Sequence, residues 1–296
     1  MRKTNGEQTM KKLLIWVLCV SLGCVLLGCS SESGPSQRTT SESTALGGTE
    51  DAAQITESDT DETAETTASG ENEVKKIVFF GDSVTEGCFE LIYTSSYGDI
   101  TIVRDKEAVY HNLLKERIKK EYPGLGIEFV NAGISGNSSA EGLKRISRDV
   151  LSHDPDIVVV CFGLNDVISM SKQEYAFNMS QIFRTLRDRG IHVIYMTPNM
   201  YNTYVHEDVL SSLVDMANNL AKAQNDNLPD AYYGEAMAKA EKYGCVVVDA
   251  YGAWKKLSEY GIDVTELLSN GLNHPTREMH RLFADMLYDE VINFIV

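Results

Sequence analysis

Five short apolar segments alternate with longer amphipathic stretches between residues 74 and 296. The apolar segments lie at residues 76–80, 127–131, 156–161, 191–196 and 245–248. The stretches between them, such as 140–151 and 172–189, repeat apolar residues at helical spacing. Because helical crossovers between successive strands are right-handed and leave those strands parallel, the alternation predicts an α/β fold. We expect a three-layer sandwich around a five-stranded parallel, flavodoxin-like sheet.

The first apolar segment leads directly into the sequence Phe80-Gly81-Asp82-Ser83. Gly81 allows a sharp turn of the backbone, which places Ser83 just beyond the end of the strand. In open α/β sheets, ligands bind at the carboxyl ends of the strands. Although Gly-Asp-Ser is also a common turn, this position predicts that Ser83 is a nucleophile.

Three later blocks place further polar residues after the predicted strands or near the C-terminus. They are Asn131-Ala132-Gly133-Ile134-Ser135-Gly136-Asn137, Gly163-Leu164-Asn165-Asp166 and Asn273-His274-Pro275. Together with Gly81-Asp82-Ser83, the blocks resemble those of the SGNH (GDSL-type) hydrolases, named for a Ser, a Gly, an Asn and a His. The resemblance covers residues 75 to 296. It implies a flavodoxin-like fold and an ester hydrolase of EC class 3.1.1 that acts through a serine acyl-enzyme.

The four blocks contain the groups that ester hydrolysis needs. His274 is the candidate base, because imidazole titrates near neutral pH and a serine hydroxyl needs a base to become a nucleophile. The tetrahedral oxyanion needs fixed donors. The resemblance assigns these to the Ser83 backbone N–H, Gly136 and the Asn165 side chain. Gly136 is preferred to Gly133 because Ile134-Ser135-Gly136-Asn137 aligns with the second block of the family. We expect Asp82 and Asp166 to orient their loops.

The sequence departs from the family pattern at one position. The family usually has an Asp three residues before its His, whereas this chain has Gly271 there and Asn270 one residue earlier. Asn270 is therefore a possible third member of the catalytic group, because its side-chain carbonyl can accept a hydrogen bond from the ring N–H. The alternatives are a backbone carbonyl or a carboxylate such as Asp263 or Glu266.

Two inserted segments flank the predicted site. Residues 89–105 alternate polar and apolar residues, which indicates a hairpin beside Ser83. Cys88 lies five residues after Ser83 and is a candidate to line the site. Residues 200–243 contain Tyr201, Tyr204, Tyr232 and Tyr233, and such a long insert is typical either of a binding loop or of extra helices on one edge. Pro275 is expected to occupy the first turn of the last helix.

The N-terminal region has a different character. Lys11 and Lys12 precede an apolar run from 13 to 27, which predicts a secretory signal. Leu26-Leu27-Gly28-Cys29 resembles the lipobox of bacterial lipoproteins, which implies a signal peptide over 1–29 and lipid on Cys29. A plain signal peptide and an N-terminal anchor helix are the alternatives. Residues 30–73 are rich in Ser, Thr and acidic residues and predict a disordered tether, followed by a hydrolase domain over 74–296.

Charge and composition exclude some partners. The chain has a net charge of −16, and residues 31–73 hold eleven acidic residues against one basic residue. An acidic chain of this kind argues against nucleic acid as a substrate. No Cys/His cluster has metal-ligand spacing, so we expect no metal and no cofactor.

The sequence therefore predicts an extracellular serine esterase, held at the outer face of the bacterial cell membrane only by its lipid. The expected substrate is a small-molecule or glycan ester, with acetyl groups on glycans preferred, since a tethered domain outside the membrane meets polysaccharides. A lysophospholipase or thioesterase is one alternative. A non-catalytic carbohydrate-binding lipoprotein on a decayed hydrolase fold is the other, motivated by the missing Asp.

Overall fold

A five-stranded parallel sheet forms the centre of the computed structural model, which describes residues 74–95 and 98–296. The strands are β1 (Lys75–Gly81), β4 (Ile127–Gly133), β5 (Ile157–Cys161), β6 (His192–Met196) and β7 (Val246–Val248). Their spatial order is β4-β1-β5-β6-β7, and every neighbouring pair is parallel. This confirms the predicted fold class. The expected signal peptide and tether lie outside the described residues.

The central strands read as continuous apolar runs because both faces of the sheet are covered. All five residues of β5 are buried, and Ile77 of β1 lies between Phe129 of β4 and Ile157 of β5. The covering helices are α1 (Ser83–Glu86), α2 (Tyr110–Glu121), α3 (Ser139–Asp149), α4 (Asp166–Ser169), α5 (Lys172–Arg187), α6 (Val214–Asn225), α7 (Leu228–Lys242), α8 (Ala250–Glu259) and α9 (Arg277–Ile295).

Two groups of helices enclose the sheet. Helices α2 and α9 pack together, whereas α3 packs on α5 and α5 packs on α7. The chain reverses its direction across the sheet after β4, so right-handed crossovers place these two groups on opposite faces. Short 3₁₀ turns occur at Leu151–His153, Ser211–Leu213 and Thr265–Leu267. No helix of the described ranges is both long enough and apolar enough to cross a membrane.

The predicted hairpin is present between α1 and α2. Its strands, β2 (Cys88–Tyr93) and β3 (Ile100–Arg104), pair antiparallel and form a second, two-stranded sheet. Their register shifts between Cys88 and Leu91. The hairpin therefore begins only five residues after Ser83, so its first residues lie beside the end of β1.

The insert between β6 and β7 contributes mainly to the core. Tyr201 and Tyr233 are fully buried, and the hydroxyls of Tyr201 and Tyr232 donate to the carbonyls of Leu164 and Met170. Tyr201 and Tyr232 therefore hold the loop after β5 through these two hydrogen bonds. Of the tyrosines in this segment, Tyr204 is the one with an exposed side chain, so the aromatic residues do not form a binding platform.

The last helix begins later than predicted. Thr276 is its N-cap and accepts from the Met279 N–H, and Arg277 is the first helical residue. Pro275 precedes the cap and forms an isolated antiparallel bridge with Leu268. The side-chain cap of Thr276 is available to satisfy the free N–H groups of the first turn, so the helix starts there rather than at the proline.

Candidate active site

Ser83 lies at the first position of α1, directly after the end of β1. Asp82 caps this short helix, and its Oδ1 accepts the Val84 N–H at 3.0 Å. Gly81 is required because a Cβ at that position would lie 2.2 Å from Thr85 Oγ1 and 2.6 Å from the Cys161 carbonyl. The close packing of Gly81 at the end of β1 against the Cys161 carbonyl of β5 therefore helps to determine the position of Ser83.

His274 lies against Ser83, although 191 residues separate them. Its Nε2 is 3.0 Å from Ser83 Oγ, and its Nδ1 is 2.8 Å from the carbonyl oxygen of Phe89. A carbonyl only accepts, so Nδ1 carries the proton and Nε2 is left as the acceptor for the serine hydroxyl. Burial lowers the pKa of His274 below its ordinary value of 6.5, and the Phe89 contact opposes part of that shift.

The expectation that Asn270 orients the imidazole ring is wrong. Asn270 Oδ1 accepts the backbone N–H groups of Leu272, Asn273 and His274, each at 3.0 Å, and so shapes the turn before the histidine. A short amide side chain that closes its own turn has no acceptor left to direct at the ring. The carbonyl of Phe89, on the hairpin, occupies the place of the third member.

Neither carboxylate suggested from the sequence contacts the ring. Asp263 binds the Tyr204 hydroxyl at 2.9 Å and the Thr265 N–H at 3.0 Å. Glu266 lies 3.3 Å from His206 Nε2. Of the alternatives left open by the sequence, the geometry matches the backbone carbonyl. A backbone carbonyl has no residue-type signature, so the sequence contained no signal that could single out Phe89.

Gly136 and Asn165 line one open groove of about 580 Å³. The Asn165 side-chain amide donates to the Asn137 carbonyl at 2.9 Å. Gly136 has a φ of +77° and open space where a Cβ would stand, so its backbone is accessible. Gly133 has a different role, since a Cβ there would lie 2.2 Å from the Glu86 backbone nitrogen. Gly136 is thus the more exposed of the two glycines, and its role as an oxyanion donor stays a prediction.

Asp82 and Asp166 both hold loops of the site, as expected. Asp166 Oδ1 accepts the Ser139 N–H at 2.9 Å and also binds the Ser139 hydroxyl, which links the loop after β5 to the start of α3. Burial raises the pKa of Asp82 to about 7 and that of Asp166 to about 6, because it disfavours the charged form.

Arg145 is a residue that the sequence did not single out. Its side chain is 7% exposed and donates to the carbonyls of Gly81 at 2.8 Å and Ala132 at 2.7 Å. Its Nε donates to Asn137 Oδ1 at 2.8 Å. One guanidinium therefore ties together the ends of β1 and β4. The sequence contained one signal that Arg145 is buried, namely its spacing. It lies three residues after Gly142, on the buried face of α3.

Cys88 does not supply a second nucleophile. Its thiol is buried and lies 3.7 Å from Glu86 Oε2. Burial raises the pKa of Cys88 to about 11, so the thiol stays protonated near neutral pH. In the part of the chain that the structure describes, no group of three His, Cys, Asp or Glu side chains is placed to hold a metal ion.

Comparison with known proteins places this geometry in a family. The model of the GDSL-like lipase/acylhydrolase family matches residues 79–282. An acetylxylan esterase from Geobacillus stearothermophilus is 32% identical over 102 residues, which cover 31% of this chain and 40% of that protein. The uncharacterized lipoprotein YqeF from Bacillus subtilis (strain 168) is 29% identical over 128 residues, which cover 41% of this chain and 47% of that protein.

The fold is shared with solved structures. A lipase/acylhydrolase from Enterococcus faecalis superposes with a TM-score of 0.57 at 22% identity, covering 75% of this chain and 98% of that one. The matched segments span less than half the length of the two curated relatives described above.

Proposed function

Because this chain belongs to the GDSL-like lipase/acylhydrolase family, we propose that it is an esterase that hydrolyses carboxylic esters through an acyl-enzyme on Ser83. The observation that carries the proposal is the 3.0 Å contact between Ser83 Oγ and His274 Nε2, with Nδ1 held by the Phe89 carbonyl. A buried serine paired with a correctly oriented imidazole is the arrangement that serine acyl transfer requires.

The proposed reaction has two halves. His274 Nε2 takes the proton of Ser83 as Oγ attacks the ester carbonyl carbon, and the resulting oxyanion lies among the donors of Ser83, Gly136 and Asn165. When the carbon–oxygen bond to the alcohol breaks, His274 returns the proton to the departing oxygen. A water molecule, deprotonated by His274, then attacks the acyl-Ser83 ester and releases the acid.

Among the residues that the structure describes, none places a carboxylate on the imidazole ring of His274, and the proposed imidazolium is compensated by other groups. The Phe89 carbonyl dipole points its negative end at Nδ1–H and favours the charged form. The charges of Glu86 and Glu90 also raise the pKa of His274, whereas burial and the charge of Arg104 lower it, and burial has the largest effect. The proposed chemistry therefore uses a Ser83–His274 dyad held by a backbone carbonyl.

The preferred substrate is a short acyl ester, especially acetyl, on a glycan. The similarity to an acetylxylan esterase supports this choice. The similarity to a lipoprotein supports the companion proposal that Cys29 carries lipid and holds the domain at the outer face of the cell membrane. Cys29 lies outside the described residues.

One observation favours a second candidate, an esterase for longer acyl chains such as a lysophospholipase or thioesterase. A cavity of about 600 Å³ lies between α4, α6 and α7 and is lined by apolar residues that include Val167, Ile168, Leu220 and Leu228. Ile168 also lines the groove of Gly136 and Asn165, so the two spaces adjoin. The third possibility, a non-catalytic carbohydrate-binding protein, is disfavoured by the Ser83–His274 contact.

A panel of p-nitrophenyl esters of increasing acyl length, with acetylated xylan alongside, separates these candidates. We expect the highest kcat/KM for the acetyl ester, release of acetate from xylan, and labelling of Ser83 by a fluorophosphonate. Ser83→Ala should abolish turnover, whereas Ser152→Ala, at an exposed serine on the carbonyl of Arg148, should not. A preference for long chains selects the second candidate. Labelling at another serine, or turnover by Ser83→Ala, refutes the proposed nucleophile.

A further inference from the structure

One carboxylate connects the helix that carries Ser83 with two other parts of the proposed site. Glu86 ends α1, one helical turn after Ser83, and its side chain is 25% exposed. Its Oε2 accepts the backbone N–H of Ser135 at 2.6 Å, and its Oε1 accepts from Arg104 Nε at 2.6 Å. Ser135 belongs to the loop after β4, and Arg104 ends β3 of the hairpin. Glu86 therefore holds both segments against α1.

The contact with Ser135 bears on Gly136, the proposed oxyanion donor. Residues 134–137 form a tight turn, in which the Asn137 N–H donates to the Ile134 carbonyl at 3.2 Å. The Ile134 N–H donates to the end of β1 at 3.2 Å, and the Ser135 N–H donates to the carboxylate. Among the described residues, the Gly136 N–H has no hydrogen-bond partner. It is therefore the donor of this turn that stays available to a ligand.

The contact with Arg104 bears on the carbonyl that binds the imidazole ring. Arg104 lies opposite Cys88 in the hairpin, and Phe89 is the next residue of β2. A hydrogen bond between a guanidinium and a carboxylate is short and directional. The bond from Arg104 to Glu86 thus fixes the base of the hairpin, one residue away from the Phe89 carbonyl.

We propose that Glu86 is a positioning residue for ester hydrolysis: its carboxylate orients the loop that presents the Gly136 N–H and the hairpin that presents the Phe89 carbonyl. This inference rests on the proposed esterase function. Glu86 acts through Ser135 and Arg104 and needs no contact with the ester. An oxyanion donor and a ring acceptor contribute only if they are in place as charge develops, so the group that holds them acts mainly on the transition state.

The charge of Glu86 gives a second effect, which separates this role from simple packing. Side chains on three elements interact electrostatically with the His274 ring, namely Glu86 on α1, Glu90 and Arg104 on the hairpin, and His280 on α9. Burial lowers the pKa of His274 most, the two carboxylates raise it, and the guanidinium lowers it. Burial lowers the pKa of His280 to about 3, so His280 is neutral near neutral pH.

Three variants and one control test the role. Glu86→Gln keeps the size of the side chain but replaces one acceptor oxygen with a donor, whereas Glu86→Asp keeps the charge and shortens the reach. Arg104→Gln releases the hairpin and leaves the other contact. The matched control is Asp156→Asn. Asp156 also accepts a backbone N–H, from Lys76 at 2.8 Å, binds Lys75 at 3.2 Å and is 27% exposed, but it lies at the amino end of the sheet.

We expect Glu86→Gln and Glu86→Asp to lower kcat for p-nitrophenyl acetate by about 10-fold or more, with KM within about twofold of the parent. The acid limb of kcat/KM should move to lower pH in Glu86→Gln, stay in place in Glu86→Asp, and move to higher pH in Arg104→Gln. Asp156→Asn should match the parent in every respect. Thermal unfolding shows that each variant is folded.

Hydrogen exchange of the Ser135 amide gives a readout that does not depend on turnover. We expect this amide to exchange several-fold faster in Glu86→Gln than in the parent, because a charge-assisted hydrogen bond is weakened or lost. The same amide should be unaffected in Asp156→Asn.

Several results overturn the role of Glu86. These are a kcat in Glu86→Gln equal to that of the control, a change confined to KM, unchanged exchange at Ser135, or acid limbs that move in the same direction in Glu86→Gln and Arg104→Gln. If Glu86→Gln does not fold, an undiminished kcat in Glu86→Asp overturns it. In each case an active parent retains the esterase proposal. A parent that hydrolyses no ester refutes the esterase proposal, whereas faster exchange at Ser135 would still support Glu86 as the residue that holds this turn.

Discussion

At the scale of single residues, one buried arginine connects the loops that carry the proposed oxyanion donors. Arg145 donates to the Gly81 carbonyl, one residue before Asp82, and to Asn137 Oδ1. The Asn137 carbonyl in turn accepts from the Asn165 amide. A planar guanidinium can bind several carbonyls in a set geometry, which an ammonium cannot do. Arg145 is thus a positioning residue for three loops.

Arg145→Lys should therefore lower kcat by about 10-fold or more with little change in KM, because a small misplacement of the donors is felt mainly in the transition state. Steady-state kinetics with p-nitrophenyl acetate measures this, and thermal unfolding shows whether the fold persists. Arg148→Lys is the control, since Arg148 lies on the same helix and binds the same Asp149 but is exposed. A change confined to KM would make Arg145 a binding residue.

The buried imidazole leads to a prediction about pH. The base must be neutral, and burial lowers the pKa of His274 below 6.5, so the ring stays neutral to a lower pH than an ordinary histidine. We expect kcat/KM to be level at neutral pH and to fall only as the pH drops through a value under 6.5. A profile of kcat/KM with p-nitrophenyl acetate tests this. An acid limb centred above 6.5 would contradict it.

At the scale of elements, the hairpin completes the proposed catalytic group. Its first strand supplies the Phe89 carbonyl, and ion pairs hold it to the rest of the molecule. Arg277, at the start of α9, binds Glu90 at 2.6 Å and Asp105 at 2.7 Å, and its guanidinium lies 4.5 Å from the centre of the Phe89 ring. At the far end, the Tyr93 hydroxyl contacts Ser211 and Ser212 of the insert.

Arg277→Met should loosen this attachment. Exposed ion pairs contribute about 0–1 kcal/mol each, so the thermal midpoint should change little. The Phe89 carbonyl would be less well held, however, and we expect kcat to fall several-fold. Arg117→Met is the matched control, because Arg117 also binds two carboxylates and lies over a tyrosine ring, but between α2 and α9. An equal effect of both substitutions on kcat would contradict a specific role for the hairpin.

At the scale of the whole molecule, the two parts of the chain differ in charge and composition. More than half of the net charge of −16 lies in residues 31–73, before the hydrolase domain begins. We expect an acidic segment of that kind to repel itself, which would hold a lipid-anchored domain at a distance from the membrane. The proposed anchor at Cys29 would then determine where the esterase acts.

Cys29→Ser should move the protein out of the membrane fraction of a bacterial host, or block its processing, because the serine cannot form the thioether to lipid. Cys24→Ser is the control, since Ser21-Leu22-Gly23-Cys24 is a poorer lipobox. Fractionation and radiolabelled fatty acid provide the two readouts. Unchanged partition, together with an unlabelled parent protein, would refute the lipid anchor.

Local patterns were enough to predict the sheet. The apolar runs that form β1, β4, β5, β6 and β7 can be recognised in the sequence. Each is short and apolar throughout because both faces of the sheet are covered, and helical spacing of apolar residues follows. The same patterns placed three polar blocks after their strands, where the carboxyl ends of parallel strands meet at one edge. The resemblance to the SGNH hydrolases, and not the patterns, singled out Gly136 and Asn165 within those blocks. The start of α9 was misplaced by two residues, since a capping threonine and a proline compete as start signals there.

Only the tertiary structure decided what completes the site. Phe89 and His274 are 185 residues apart, and the group that Phe89 contributes is a backbone carbonyl, which every residue possesses. Arg145 is a cation in an amphipathic helix, where sequence alone favours a solvated face, yet two of its four partners are backbone carbonyls of β1 and β4. Residue type therefore determined which chemistry was available, and long-range packing determined which backbone groups joined it.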